Sequence, residues 1–173
     1  MSIETTKPSK APEIILGLAF SEAIDVWSLG TMMASMLLRF DLFPNQSEFE
    51  TLKIMVKYFG KLPDEILSEG LKTDSFFKKH GQSWKLMTDQ EFVKKFHLAP
   101  GDIQVYRSEM FSTFEELIRN NSQASCCQEM QKLQDCLALM YQMLQMKEAE
   151  RITAAQIIDH PALSERSFTV HTM

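Results

Sequence analysis

The side chains of this chain that could carry chemistry are few and widely spaced. Histidine and cysteine are the residues that most often bind a metal or act as a base or nucleophile. The histidines are scattered without metal-ligand spacing, and the cysteines form no Cys-x-x-Cys pair. These residues are His80, His97, His160, His171, Cys126, Cys127 and Cys136. The sequence therefore predicts no metal site, and it favours reduced, structural thiols.

Phosphate chemistry lacks its usual sequence support as well. A loop that holds nucleotide phosphates needs clustered glycines, and the six glycines of this chain are too sparse to form one. They are Gly17, Gly30, Gly60, Gly70, Gly81 and Gly101. Ser28 follows a tryptophan inside an apolar segment and has no nucleophile context. We therefore predict no catalytic, cofactor-binding or metal-binding residue.

Composition indicates one globular domain inside a cell. The chain has 173 residues, and its 45% of hydrophobic residues are enough to form a core. Its charged residues, 24% of the chain, are of both signs, which argues against wholesale disorder. The net charge of -5 argues against a nucleic-acid-binding surface. No apolar run approaches the ~20 residues of a membrane span, and no secretory leader opens the chain. We expect a nuclear or cytoplasmic protein without membrane contact.

The strongest predicted helix runs from Ser21 to about Leu38. Its apolar residues leave almost no polar face, which predicts a central helix that is buried all round. Gly30 inside this helix costs about 1 kcal/mol relative to alanine, so we expect it to allow close packing with another backbone. The preceding residues 11–20 are expected to be irregular, with a turn at Gly17.

Capping boxes mark the starts of five further helices, because a Ser or Thr side chain and a Glu or Gln three residues later satisfy the first free amides. The pairs are Ser47/Glu50, Thr88/Glu91, Thr113/Glu116, Ser125/Gln128 and Thr153/Gln156. Gly60 is expected to end the first of these helices, and Pro63 to begin another short one. The sequence shows no convincing strand and no internal repeat.

The helix predicted over residues 128–146 has apolar residues at steps of three and four. They are Met130, Leu133, Leu137, Met140 and Leu144. This spacing fits a coiled-coil seam in a plain helical bundle, but over barely two heptads it is more typical of a helix face packed on a core. Both interpretations stay open at this point.

Three motifs stand in a specific order along the chain. Ala11-Pro12-Glu13 is followed, twelve residues after its glutamate, by Asp25-Val26-Trp27-Ser28-Leu29-Gly30, and Arg151-Ile152-Thr153 precedes a distant His160-Pro161. In this order the motifs resemble the large lobe of a eukaryotic protein kinase from its Ala-Pro-Glu motif onward. The segments 13–17 and 20–25 resemble the homeodomain-interacting protein kinases, with the dual-specificity tyrosine-regulated kinases as near relatives.

The resemblance implies a mainly α fold, namely the helical large lobe of the protein-kinase-like fold without its β-rich small lobe. It covers about residues 11–163, a partial kinase domain between a flexible lead-in of residues 1–10 and a tail of residues 164–173. It also implies structural roles for the motif residues. Glu13 is expected to pair with Arg151, Asp25 to accept amides of a catalytic loop, and Trp27 and Gly30 to belong to the same packing unit.

The family transfers phosphate from ATP to protein serine or threonine, with tyrosine as a further candidate acceptor. That chemistry needs Mg²⁺ and three sequence motifs, namely a glycine-rich loop, His-Arg-Asp and Asp-Phe-Gly. This sequence contains none of the three motifs. ATP and Mg²⁺ are thus implied only for an intact family member, and this chain alone is expected to be inactive. The alternative is a non-catalytic interaction module that binds proteins through the Ser47 helix and the 64–121 insert. No oligomeric state is predicted.

Overall fold

Helices dominate the computed structural model, which describes residues 10–43, 47–99, 102–103, 111–121 and 127–163. The α-helices of this part are α1 Pro12–Leu16, α2 Ala23–Leu38, α3 Glu48–Phe59, α4 Asp64–Glu69, α5 Thr73–Phe76, α6 Asp89–Phe96, α7 Phe114–Asn121, α8 Cys127–Met143 and α9 Ala154–Ile158. Short 3-10 turns cover Glu148–Glu150 and Pro161–Leu163. The expectation of a mainly helical fold is confirmed. Apart from Lys10, the predicted lead-in and tail lie outside the described residues.

Helix α1 corrects the expectation that residues 11–20 are irregular. Pro12 occupies the first helical turn, where its fixed φ and missing amide cost nothing. Gly17 ends the helix in the left-handed region at φ 68° and donates its amide to the Glu13 carbonyl. This start and stop are readable signals, but five residues are too few for a hydrophobic period to reveal the helix between them.

Helix α2 is central but is not buried all round, so that prediction was wrong. One face is buried through Trp27, Gly30 and Ala34, where α7 and α8 pack against it. The opposite face exposes three large apolar side chains. They are Leu29, Met32 and Met36, with exposed fractions of 43%, 59% and 74%. The composition of the helix indicates two apolar faces but cannot show which of them this chain covers.

A β-hairpin contradicts the expectation that the chain has no strand. β1 (Phe77–His80) and β2 (Ser83–Leu86) pair antiparallel, with Phe77 opposite Leu86 and Lys79 opposite Trp84. The two-residue loop between them begins at Gly81, whose φ is 64°. Glycine at that position is the usual signal of a tight hairpin. The signal was missed because each strand has only four residues and β1 is mostly basic.

Four of the five predicted caps are observed. The side-chain oxygens of Ser47, Thr88, Thr113 and Thr153 each accept the amide of the residue three positions later, at 3.2, 3.3, 3.0 and 3.3 Å. At Thr88 and Thr153 the reciprocal bond from the cap amide is also present, so both capping boxes are complete. The predicted box at Ser125 lies outside the described residues. Local sequence therefore fixes where these helices begin.

The core lies between α2, α3, α7 and α8. An aromatic cluster fills its centre, in which Phe59 packs edge-on against Trp27, Phe114 and Tyr141 with ring centroids 5.2–6.2 Å apart. The predicted apolar stripe, which runs along α8 to the residue after it, faces this core. Leu133, Leu137, Met140 and Leu144 are buried, and Met130 is half-buried. Of the two interpretations of that stripe, the core-facing one is confirmed.

Candidate functional site

The best-defined polar site is an ion pair that joins two parts of the chain 138 positions apart. Arg151 follows the 3-10 turn Glu148–Glu150, and Glu13 lies in the first turn of α1. Nη1 of Arg151 donates to Oε1 of Glu13 at 2.7 Å, and Nη2 donates to Oε2 at 3.0 Å. Only 5% of Arg151 and 3% of Glu13 are exposed. A planar guanidinium and a carboxylate thus meet in two parallel bonds, which a lysine could not form.

The remaining donors of Arg151 also have partners. Nη1 donates to the carbonyl of Ala23 at 2.8 Å, while Nε and Nη2 donate to the carbonyl of Gln145 at 3.3 and 3.2 Å. These contacts connect α1, the start of α2 and the segment after α8. Because each donor of the buried cation is occupied, the arrangement holds the fold and leaves no free group for chemistry.

Trp27 forms the apolar wall of this ion pair. The guanidinium carbon of Arg151 lies 5.2 Å from the centre of the indole ring, within range of a cation–π interaction. The ring also stacks on Phe43, with centroids 5.9 Å apart and planes inclined by 9°. Its Nε1 is buried without a hydrogen-bond partner among the described residues. Trp27 therefore contributes packing and cation contact to the site.

Gly30 lies where α2 crosses the end of α8. A Cβ atom at this position would stand 3.0 Å from Cβ of Met143 and 3.1 Å from Cδ2 of Leu144. We expected a close approach to another backbone, and the structure instead places side-chain atoms of Met143 and Leu144 there. A side chain at this position would be in tight contact with Met143 and Leu144, so glycine suits the close approach of the two segments.

Asp25 takes no part in the side-chain contacts described so far. It is on the first turn of α2, where an acidic side chain suits the helix dipole. Its side chain is exposed, and no hydrogen bond or ion pair to its carboxylate is found within the described ranges. Asp25 lines a groove of about 830 Å³ that also borders Glu13 and Arg151. Its predicted role toward a catalytic loop stays a prediction.

The other chemically capable side chains are isolated or occupied. Among the residues that the structure describes, no three His, Cys, Asp or Glu side chains lie together as metal ligands would. His160 accepts the amide of Ala162 through Nδ1 at 3.1 Å, which makes it a helix-end group. Burial raises the pKa of the Cys136 thiol, with a further contribution from the charge of Asp135, and so reduces its reactivity.

The two regions proposed for protein binding differ in exposure. Most of α3 is buried, including Phe49, Leu52 and Met55, so this helix belongs to the core. In contrast, α6 has no fully buried residue, and the hairpin exposes Lys79 and Lys85. Within the insert, the hairpin and α6 are therefore the more accessible surface.

One polar junction was missed in the sequence. Asp64, at the start of α4, accepts the Trp84 amide at 2.6 Å, the Ser83 hydroxyl at 3.0 Å and the Lys61 ammonium at 2.7 Å. Lys61 and the Trp84 amide hold the pKa of Asp64 below its usual value. Only the Lys61–Asp64 spacing is visible locally, because the strand partners lie about twenty positions downstream. The junction fastens the hairpin to the helical body.

A helical body closed by a buried Glu–Arg pair, with Trp27 and Gly30 beneath it, matches the architecture expected of a kinase large lobe. The protein kinase domain family matches residues 1–163, so the chain belongs to this family. It is 29% identical to the dual specificity protein kinase YAK1 of Saccharomyces cerevisiae over 92% of the chain. It is also 29% identical to homeodomain-interacting protein kinase 2 of Mus musculus over 88% of the chain.

A third relative is homeodomain-interacting protein kinase 4 of Homo sapiens, 27% identical over 90% of the chain. The expected similarity to the homeodomain-interacting group is therefore confirmed. The chain spans only 22%, 13% and 27% of the lengths of these three relatives. In the part of the chain that the structure describes, no helix is long and apolar enough to cross a membrane.

Proposed function

We propose that this chain supplies the helical scaffold of a protein serine/threonine kinase and does not itself transfer phosphate. In this proposal the complete family activity is ATP- and Mg²⁺-dependent phosphorylation of protein Ser or Thr, with Tyr as a further acceptor to test. Those ligands belong to an intact kinase, and the residues present here hold no cofactor. The chain fixes the geometry of the lobe on which such chemistry depends.

The saturated contacts of Arg151 carry this proposal. Its guanidinium donates to Glu13, to the Ala23 carbonyl and to the Gln145 carbonyl, and it stands over the Trp27 ring. A catalytic cation needs a donor free for the transferred phosphate, whereas this one is fully committed to protein groups. The sequence also offers no glycine-rich loop, His-Arg-Asp or Asp-Phe-Gly that could perform the reaction.

Nucleotide binding tests the proposal directly. The melting temperature of the purified chain is measured against increasing Mg·ATP, beside an intact homeodomain-interacting kinase as a positive control. We expect a saturable rise for the control and none for this chain. A saturable ATP-dependent rise, or transfer of labelled phosphate to a protein substrate by the chain alone, would refute it.

The second candidate is a non-catalytic module that binds proteins. The proposed surfaces are the Ser47 helix α3 and the 64–121 insert, and the exposure of Lys79 and Lys85 on the hairpin favours the insert. Proximity labelling in cells should lose its protein partners when both lysines are changed to glutamate. Lys57→Glu on the exposed edge of α3 is the matched control. If only the control variant loses them, the Ser47 helix is the binding surface instead.

We also infer a nuclear or cytoplasmic location, and no binding to nucleic acid or membranes. The location rests on the three cysteines, whose number and spacing favour reduced thiols over disulfides. The absence of nucleic-acid binding rests on the net charge of -5. Imaging of a tagged chain in cells tests it, with secretion or organelle targeting as the contrary result.

A further inference from the structure

A groove of about 670 Å³ lies between strand β1 and helix α6. Its walls include three residues of β1 and three of α6. They are Phe77, Lys78, Lys79, Glu91, Lys94 and Lys95. Every residue that lines the groove lies between positions 74 and 95, so one segment of the insert builds it. We call it the β1–α6 groove.

The outer edge of β1 is open, whereas the outer edge of β2 is closed. The Trp84 amide on β2 donates to Asp64 at 2.6 Å, and the Trp84 carbonyl accepts the Lys61 ammonium at 2.8 Å. Lys79 lies opposite Trp84 in the hairpin. Because the backbone groups of Trp84 point away from β1, those of Lys79 point away from β2. No residue that the structure describes bonds to the Lys79 amide or carbonyl.

The β1–α6 groove is basic, although the chain as a whole is acidic. Four lysines and two carboxylates line it, whereas the chain carries a net charge of -5. Glu91 already accepts the Lys78 ammonium at 2.7 Å, and the Lys95 ammonium donates to the backbone carbonyl of Asp74. Lys94 is exposed and has no ion-pair partner within the described ranges. The groove therefore offers uncompensated positive charge beside an unpaired strand edge.

These two properties together select an acidic extended peptide. An unpaired strand edge binds an extended chain through main-chain hydrogen bonds. Lysines on such an edge repel a strand of the same charge, so β1 of a second copy is disfavoured and an acidic strand is attracted. A nucleic acid fits less well, because Asp74 and Glu91 also line the groove and its aromatic ring, Phe77, is buried and cannot stack on a base.

We propose that an acidic, extended segment of a partner protein binds in the β1–α6 groove as a third strand beside β1. Its backbone pairs with the amide and carbonyl of Lys79, and its carboxylates meet the lysines of the groove, Lys94 above all. The inference rests on the second candidate function, the protein-binding module, and gives that module a partner chemistry. It does not depend on the scaffold role.

Fluorescence anisotropy of a labelled peptide with the whole chain gives the first test. The probe is a fluorescein-labelled peptide of alternating glutamate and valine, which is acidic on one face when extended. We expect saturable binding that weakens as the salt concentration rises from about 0.05 to about 0.5 M. A peptide of the same length with lysine in place of glutamate should not bind.

Variants separate the contributions of charge and strand pairing. Lys94→Glu should raise the dissociation constant about tenfold, whereas Lys132→Glu on α8 makes the same charge change outside the groove and should bind like the wild type. Lys79→Pro removes the outward amide that Lys79→Ala keeps, so the proline variant should bind about tenfold more weakly than the alanine variant. Proline is compatible with an edge strand when its nitrogen faces outward. Circular dichroism shows whether each variant is folded.

Four results would overturn the proposal. The first is no saturable binding of the acidic peptide. Equal binding by the proline and alanine variants would exclude a third strand, and tighter binding of a single-stranded oligonucleotide of equal length would assign the groove to nucleic acid. If Lys85→Glu weakens binding and Lys94→Glu does not, the peptide binds on the β2 side of the hairpin. The protein-binding module then stands, and only the β1–α6 groove is excluded.

Discussion

Arg151 and Glu13 are 138 positions apart in sequence and form a buried, two-bond ion pair. The pair closes the fold, because it fastens the first helix to the segment that follows α8. A buried ion pair of this kind contributes little net stability, but removal of one partner leaves the other charge uncompensated. The two residues are therefore expected to depend on each other.

The first prediction concerns single substitutions of this pair. Glu13→Gln should lower the free energy of unfolding by about 3–5 kcal/mol, because it leaves the buried Arg151 cation uncompensated. Arg151→Lys keeps the charge but loses the two-bond geometry, so its loss should be smaller. Urea unfolding followed by circular dichroism measures the loss. Glu115→Gln is the control, since the Glu115–Arg119 pair on α7 is solvent-exposed and should contribute less than 1 kcal/mol.

The second prediction concerns exchange of the two residues. Glu13→Arg and Arg151→Glu should each be more harmful than the corresponding neutral change, while the double exchange should recover part of the loss. The expected coupling energy is about 1–3 kcal/mol, typical of residues in direct contact. Effects that simply add in the double variant would show that the ion pair has no energetic role.

The third prediction concerns Gly30. In an exposed helix Gly→Ala stabilises by about 1 kcal/mol, but here the new Cβ would stand 3.0 Å from Cβ of Met143. We therefore expect Gly30→Ala to destabilise the chain by about 1–3 kcal/mol. Urea unfolding measures the change in unfolding free energy, and its sign tests this prediction. A stabilised variant would show that α2 and the end of α8 can move apart at little cost.

Sequence alone was enough to locate the helices whose starts carry a local signal. Ser47, Thr88, Thr113 and Thr153 cap helices as expected, because a cap and its partner lie only three residues apart. The pairing partner of Arg151 came from family resemblance, since no period or local spacing connects it to Glu13. Local chemistry is thus readable from the sequence, and distant contacts are not.

The errors have physical causes of the same kind. The burial of α2 was overestimated because a helix with two apolar faces does not reveal which neighbours are present to cover them. The hairpin was missed because its strands have only four residues each, and its anchor Asp64 meets Ser83 and Trp84 only in the folded chain. The Asp64 junction and the exposed apolar face of α2 are therefore features that only the structure supplies.

The fourth prediction concerns the cap at Thr153. Thr153→Ala removes the side-chain oxygen that accepts the Gln156 amide and should cost about 1 kcal/mol of stability. Thr153→Ser retains that oxygen and is the matched control, so it should stay close to the wild type. Equal destabilisation by both variants would assign the effect to the lost methyl group and not to the cap.

The last prediction concerns the acid stability of the α6 capping box. Glu91 accepts the Lys78 ammonium at 2.7 Å and the Thr88 amide at 2.9 Å, and these contacts, with Lys78 the larger cause, lower its pKa to about 2. In the unfolded chain the pKa of a glutamate is about 4.3. The folded state therefore favours the ionised form, and its contribution is complete above that unfolded value.

As the pH falls from about 4.3 toward 2, Glu91 becomes protonated and this contribution is lost. Glu91→Gln should therefore destabilise the chain near neutral pH, and the difference from the wild type should shrink across this pH interval. Unfolding free energies at several pH values measure it, with Glu22→Gln at an exposed acidic residue as the control. A Glu91→Gln difference that stays constant with pH would mean that its charge does not contribute to stability.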